Sequence, residues 1–345
     1  MDKSLPNRAI EWRNQKLILL DQRLLPGAVE FIEVSTVDDA FMCIKEMVVR
    51  GAPAIGITAA YAVVVSALAN KSLDYQKARD AIERDMDKLA QARPTAVNLR
   101  WALARMRQCL HGHSGDWQSA LEKEAILIHE QDIHANHLMA KFGAEYLPVN
   151  SNVMTHCNAG ALATGGHGTA LGVIREAHAQ GKLNNVFANE TRPWFQGSRL
   201  TAWELLQDNI PVNLVCDSAA ASAVREHDID WIIVGADRVA ANGDVANKIG
   251  TFSLAVLARH LGKKFMVVAP ASTIDLQSAS GADIKIEVRD DKELTYMGQK
   301  PLAADGVSAW NPVFDITPAH LVDVIVTERG VIENPNREKI KSLFA

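Results

Sequence analysis

The stretch SNVMTHCNAGALATGGHGTALG, residues 151–172, decides how this chain is read. Its first seven residues are a short, mostly apolar run of the kind that lies buried in a parallel sheet. A glycine-rich turn follows, and TALGVIREAHAQGK over 169–182 then takes up helical spacing. The same beat repeats downstream. NVFANETR (185–192) reads as a strand and SRLTAWELLQDN (198–209) as a helix; PVNLVCD (211–217) reads as a strand and SAAASAVREH (218–227) as a helix. DWIIVGAD (230–237) is a fourth strand, a helix is expected over 246–262, and KFMVVAP (264–270) is a fifth strand. LVDVIVTERG (321–330) reads as a last strand that closes the sheet. Short apolar strands alternating with helices predict a doubly wound, Rossmann-like, mostly parallel sheet.

Upstream of residue 150 the pattern differs. AIEWRNQKLILLDQ (9–22) and AVEFIEVS (28–35) are strand-like runs parted by the turn-former LPG, which predicts a small β meander. From Asp38 onward helical periodicity dominates through residue 147. The fold class is therefore α/β, with domains expected over 1–145 (meander plus helices) and 146–345 (Rossmann-like). One segment, Ala52 to Ala69, runs eighteen residues without a charge. Alanine, glycine and threonine dominate it, and these insert into bilayers far less readily than Leu, Ile or Phe, so it is expected to be a buried core helix.

The 345 residues are 48% apolar and 22% charged, an ordinary globular mixture able to bury a core unaided. A net charge of −5 advertises no basic face for nucleic acid. Cys43, Cys109, Cys157 and Cys216 are widely spaced, with no CxxC pair or zinc-like pattern. With an N-terminus (MDKSLPNRAIEWRNQK) too polar for a secretory core, they point to a reducing cytoplasm.

Ligands of an open parallel sheet bind beyond the carboxyl ends of its strands. The residues at those ends are Cys157, the Glu190–Thr191–Arg192 corner, Asp217, Asp237 and Pro270. The glycine-rich stretch invites a dinucleotide reading, but GGHGTALG has Leu171 where GxGxxG needs its third glycine, and no GxxxxGK[ST] occurs, so the fingerprint fails. Cys157 precedes a loop and a helix start, a setting that favours thiolate. Its position alone fits a buried small hydrophobe equally well. Cys43, Cys109 and Cys216 read as core. Asp237 leaves a buried strand and needs a hydrogen bond or a proton; Asn247 and Lys248 are expected to open the next helix and offer amide donors and a cation to a ligand oxygen. Asp217 reads as a loop brace.

Two further anion sites are suggested near the start of the chain. Arg50–Gly51–Ala52–Pro53 opens the apolar helix, and Arg93–Pro94 precedes another. The histidines offer no metal site: HEQDIH has five-residue spacing, so His129 and His134 diverge around a helix, and these two with His137 are expected at the surface or an interface. His156 and His167 flank the thiol and the glycine loop, with no role assigned.

RGAPAIGITAAYA, RPTAVNL, THCNAGALATGGHGTALG, NETRPWFQGSRLTAWEL and GADRVAANGDVANKIGT together resemble the methylthioribose-1-phosphate isomerases. That family acts in methionine salvage and shares a superfamily with the regulatory subunits of initiation factor 2B. The resemblance spans nearly the whole chain. It implies conversion of 5-methylthioribose 1-phosphate to 5-methylthioribulose 1-phosphate, with Cys157 and Asp237 as the catalytic pair. It implies substrate binding by Arg50, Gly51, Ala52, Arg93, Gln196, Asn247 and Lys248. It further implies a homodimer, with no metal or nucleotide. Close alternatives are isomerases of 5-deoxyribose 1-phosphate or ribose 1,5-bisphosphate, which differ at C5, where Trp194 or Phe195 is expected to contribute. A methyl and a methylthio group differ by only ~1–3 kcal/mol in an apolar pocket, too little to read from residue types. A non-catalytic binding module is a further alternative.

Overall fold

The computed structural model describes residues 8–94 and 96–344; residues 1–7, Thr95 of the RPTAVNL motif and Ala345 lie outside the described residues. The chain divides into two compact units, residues 1–138 with 159–172, and residues 139–158 with 173–345.

The first unit opens with the expected meander. Strands β1 (Ile10–Arg13), β2 (Lys16–Leu20) and β3 (Phe31–Val34) pair antiparallel in that order. Asn14 and Gln15 are both left-handed (φ 54° and 60°), which closes the first hairpin with the twist its strands require. Helices α1 (Val37–Lys45), α2 (Ala52–Ala69), α3 (Tyr75–Ala90), α4 (Val97–Gly112) and α5 (Trp117–Ala144) follow, the last turns of α5 belonging to the second unit. Thr36 and Asp39 form a reciprocal cap on α1, and Asp74 caps α3. Helix α2 is apolar all round because it is enclosed: 78% of it is buried, although its length and hydropathy alone would allow a membrane span. Its small residues permit that enclosure. A Cβ at Gly56 would lie 2.8 Å from the Asn98 carbonyl of α4.

In the second unit, which takes up α6 from Val173 onward, the chain runs β4 (Ser151–Thr155), α6 (Ala170–Ala179), β5 (Leu183–Asn189), α7 (Ala202–Gln207), β6 (Val212–Val215), α8 (Ala220–Glu226) and β7 (Trp231–Val234). A hairpin, β8 (Arg238–Ala240) and β9 (Val245–Lys248), leads into α9 (Thr251–His260) and β10 (Lys264–Val268). Short pieces come next: β11 (Ile274–Asp275), α10 (Lys292–Thr295), β12 (Tyr296–Met297) and β13 (Lys300–Pro301). Then β14 (Phe314–Thr317), β15 (Val324–Thr327), β16 (Gly330–Glu333) and α11 (Arg337–Ser342) end the chain.

The main sheet has the order β16-β15-β10-β7-β4-β5-β6, parallel throughout except for β16. From β4 the chain winds outward through β5 to β6, then returns to β7 and winds the other way through β10 to β15. The direction therefore reverses between β4 and β7, which makes their carboxyl ends the switch point where ligands of such sheets bind. Ile232, Ile233, Val234, Val267 and Ile325 are fully enclosed, as central strands covered on both faces require.

Two expectations are corrected. LVDVIVTERG is not one closing strand but most of a hairpin, since β15 extends the parallel sheet and β16 folds back on it. The helix expected over 246–262 begins only at Thr251, because residues 245–248 are strand. Asn242 and Gly243 (φ 89°) turn the chain there, and the Asn242 side chain accepts the Asp244 amide. That Asn-Gly turn is a hairpin signal, which the helical reading passed over. The hairpin belongs to a second, four-stranded sheet of order β11-β8-β9-β14.

Candidate active site

Cys157 and Asp237 leave the two strands that flank the switch point. Thr155 of β4 pairs in register with Ile233 of β7, and each residue follows within four positions of that pair. The strand ends from which they emerge are therefore neighbours in the sheet, at the usual strand spacing of about 5 Å.

Cys157 is buried, 7% exposed, and its backbone is left-handed at φ 61°, a conformation a side-chain-bearing residue adopts only when its surroundings hold it. They do so on every side. Its amide donates to Thr191 Oγ1 at 2.8 Å, and its carbonyl accepts from Thr201 Oγ1. Thr191 in turn is fixed by Asp217, whose carboxylate accepts the amides of Thr191 (2.8 Å) and Arg192 (2.7 Å). Asp217 is thus the brace expected of it. The following residue, Asn158, donates to buried Glu204 at 2.8 Å, and Glu204 is ion-paired with Arg175 at 2.9 Å. The preceding residue, His156, donates from Nε2 to the Ile249 carbonyl at 2.8 Å. Because a carbonyl can only accept, the neutral ring has Nδ1 free to accept from Asn189 Nδ2 at 3.3 Å. Burial holds His156 below its ordinary pKa, so it stays neutral at pH 7.

Asn247 and Lys248 do not open a helix, as expected from sequence, but close β9; both are buried, at 6% and 7% exposure. Lys248 Nζ stands 4.7 Å from the centre of the Phe314 ring, a partner for a cation in a dry setting. The Asn247 amide is aimed by Thr251, whose hydroxyl it meets at 3.0 Å and which itself bonds the Lys248 carbonyl. Asp237 is tied to the same strand, since its amide donates to the Ala246 carbonyl at 3.0 Å. Asp315 of β14 pairs in register with Asn247 and accepts the amides of Gly250 (2.8 Å) and Phe252 (3.1 Å). Burial pushes its pKa up to about 6, against the pull of those two amides. Gln196 is 6% exposed, and its Oε1 has no hydrogen-bond partner among the described residues, an arrangement a ligand hydroxyl would relieve.

The remaining predicted residues belong to the first unit. Gly51 caps α2 with φ 98°, and a Cβ there would fall 2.5 Å from the Ala163 carbonyl, so only glycine serves. Arg50, Gly51 and Ala52 hence stand where α2 presents its free amides, with Pro53 in the first turn. Arg93 is half-buried in the turn before α4. The glycine loop at 164–168 is held by α5: Asp132 accepts the Gly165 amide (2.7 Å), Asn136 donates to Gly166 O (3.0 Å) and His129 meets Gly165 O at 2.8 Å. His129, expected at the surface or an interface, instead faces inward and is bonded also to Tyr61; His134 and His137 are exposed. A second correction concerns the thiols, since Cys216 is exposed and Cys109 only half-buried, not core. Among the described residues, no group of three or more His, Cys, Asp or Glu is disposed to hold a metal ion.

The chain matches the initiation factor 2 subunit family over residues 48–334. A methylthioribose-1-phosphate isomerase of Pseudomonas aeruginosa is 56% identical to it, covering 98% of this chain and 96% of the relative. The chain belongs to the methylthioribose-1-phosphate isomerase family. A solved 5-methylthioribose 1-phosphate isomerase from Pyrococcus horikoshii superposes with a TM-score of 0.94 at 43% identity, covering 99% of this chain and 96% of that one. A structure described as the translation initiation factor eIF-2B delta subunit of A. fulgidus gives 0.89 at 39% identity, covering 97% and 98%. Sequence reading of this isomerase-family chain places Thr191 at a strand end but gives no role to Asn189, Thr201, Glu204 or Asp315. The first three lie within the motif NETRPWFQGSRLTAWEL, and only the strand order brings them and Asp315 to the switch point.

Proposed function

We propose that this chain isomerises 5-methylthioribose 1-phosphate to 5-methylthioribulose 1-phosphate, with Cys157 and Asp237 as the catalytic pair. The supporting observation is a thiol and a carboxylate leaving the adjacent strands of the switch point, in a chain with more than half its residues shared with a named isomerase. Gln196, Asn247 and Lys248 are the proposed substrate-binding residues of the second unit. Arg50, Gly51, Ala52 and Arg93 are those of the first. A homodimeric state, supported by the family resemblance, belongs to the same proposal, as do a division into domains at 1–145 and 146–345, supported by the change of patterning near residue 150, and a cytoplasmic setting, supported by the widely spaced cysteines and the polar N-terminus.

The substrate sets the chemical demand. Its anomeric oxygen carries phosphate, so the ring cannot open by simple loss of a hydroxyl proton. Asp237 in its acid form protonates the ring oxygen as the bond from that oxygen to C1 breaks. The C2 hydrogen then moves to C1, and the C2 hydroxyl becomes the ketone as its proton passes to the Asp237 carboxylate, which restores the acid. In one route the Cys157 thiolate takes the C2 proton, leaving a phosphoenol that is reprotonated at C1; in the other the hydrogen shifts directly as hydride. Substrate deuterated at C2 separates them, since full retention at C1 eliminates the thiolate as the base.

The test of function is incubation of the purified chain with 5-methylthioribose 1-phosphate. Formation of the ketose is expected, and its absence overturns the reading. Comparing kcat/KM on 5-deoxyribose 1-phosphate and ribose 1,5-bisphosphate identifies the C5 substituent preferred. A second reading, a binding module without turnover, draws on the likeness to the initiation-factor structure. It requires no fastened thiol beside an aspartate, and a fold shared with an initiation factor does not carry function by itself.

A further inference from the structure

We propose that His156 and Asp315 are positioning residues that grip one peptide group, between Ile249 and Gly250, and thereby fix Asn247 and Lys248 against the strand end that carries Cys157. The Ile249 carbonyl and the Gly250 amide belong to a single peptide plane. His156 Nε2 donates to its oxygen at 2.8 Å, and Asp315 Oδ2 accepts its N–H at 2.8 Å. The plane cannot swing without breaking both bonds, and each partner is itself anchored. His156 is held through Nδ1 by Asn189 at the end of β5, and Asp315 is paired in register with Asn247 while also taking the Phe252 amide at 3.1 Å. The Ile249 amide, one bond back along the chain, donates to Val313 O at 3.0 Å.

The gripped peptide occupies the corner where β9 becomes α9. Gly250 is left-handed there (φ 102°), and a Cβ at that residue would come 3.0 Å from the His156 ring, so ring and glycine fit each other. Lys248 lies one residue before the gripped carbonyl, and Cys157 lies one residue after the histidine that grips it. A single 2.8 Å hydrogen bond thus links the immediate chain neighbours of the proposed thiolate and the proposed substrate cation. Displacement of reacting groups by about 1 Å is enough to cost roughly 10²-fold in rate, and this bond is the short path by which such displacement is prevented.

The proposal rests on the isomerase reading for the role of Lys248, so its test has two arms, both on the full chain. In the first, His156→Leu, His156→Gln, Asn247→Ala and Lys248→Met are assayed on 5-methylthioribose 1-phosphate, singly and combined. His156→Leu is expected to lower kcat/KM by about 10²-fold, while His156→Gln, whose amide nitrogen can replace Nε2 as donor, stays within about 5-fold of wild type. In a background carrying both Asn247→Ala and Lys248→Met, adding His156→Leu is expected to cost less than about 3-fold, because its effect runs through those two side chains. Fully additive losses, or a Gln variant as poor as the Leu variant, overturn the proposal. The second arm needs no substrate. Hydrogen exchange at the Gly250 and Phe252 amides is expected to quicken at least ~10-fold in His156→Leu, with α6 unchanged. Unchanged exchange at these amides refutes the clamp, whereas failure of wild type to form ketose refutes only the isomerase reading.

Discussion

Two cysteines in this molecule occupy the same kind of place. Cys157 follows β4 and Cys216 follows β6, each just past the carboxyl end of a parallel strand of the same sheet. Their surroundings are opposite. Cys157 is buried, left-handed, and fastened through its own backbone and both chain neighbours. Cys216 is exposed, and its sulfur meets the Ser218 hydroxyl two residues on at 3.2 Å. The difference is strand order. β4 is central and β6 is the sheet edge, where Leu214 is also 54% exposed. A thiol at a strand end becomes a candidate catalyst only at the switch point, where neighbouring elements converge to hold it.

The sharpest way to break this comparison is to remove each sulfur. Cys157→Ala is expected to lower kcat by about 10³-fold or more and Cys216→Ala by less than about 2-fold, with unfolding midpoints recorded alongside. Equal losses would mean that topology does not separate the two. The aspartates nearby extend the contrast. Asp237→Asn is expected to lower kcat by about 10²- to 10³-fold without loss of fold. Asp217→Asn, which keeps one acceptor for the Thr191 and Arg192 amides and loses the other, is expected to cost about 1–2 kcal/mol of stability in a denaturant titration.

The smallest effect concerns Asp315, which fastens the corner that His156, just past β4, also holds. Its folded pKa is raised from 3.8 to about 6, so the native state binds this proton more tightly than the unfolded chain. It contributes stability that is fully present below about pH 4 and is lost as pH rises through about 6. Asp315→Asn removes that dependence. The unfolding free energy of the variant minus that of wild type is expected to rise between about pH 4 and 7 and then level off, and a flat or falling difference would contradict the assigned burial.

Much of this was legible along the chain. Each strand of the parallel series and every helix of the first unit announces itself by periodicity, and the chain pattern alone puts the cysteine and the aspartate at strand ends. Arg50–Gly51–Ala52–Pro53 signalled a helix start, and α2 begins at Ala52 behind a left-handed Gly51. The β8–β9 hairpin was misread because VANKIGTFSLAVLA continues smoothly into helical spacing, while its Asn-Gly turn lies at the far end. His156 was noticed but given no role, since its partner at Ile249 is 93 residues away.

The sequence by itself determined which segments would be strands and helices, because side-chain periodicity and turn chemistry act over a few residues. It also determined the family, because many local motifs in fixed order are specific together. Only the tertiary structure decided which strand ends become neighbours. Strand order follows from how long connections pack, so the chain cannot show locally that β4 and β7 adjoin while β6 stands at the edge. That order separates Cys157 from Cys216, and it brings His156 and Asp315 to one peptide from positions 159 residues apart.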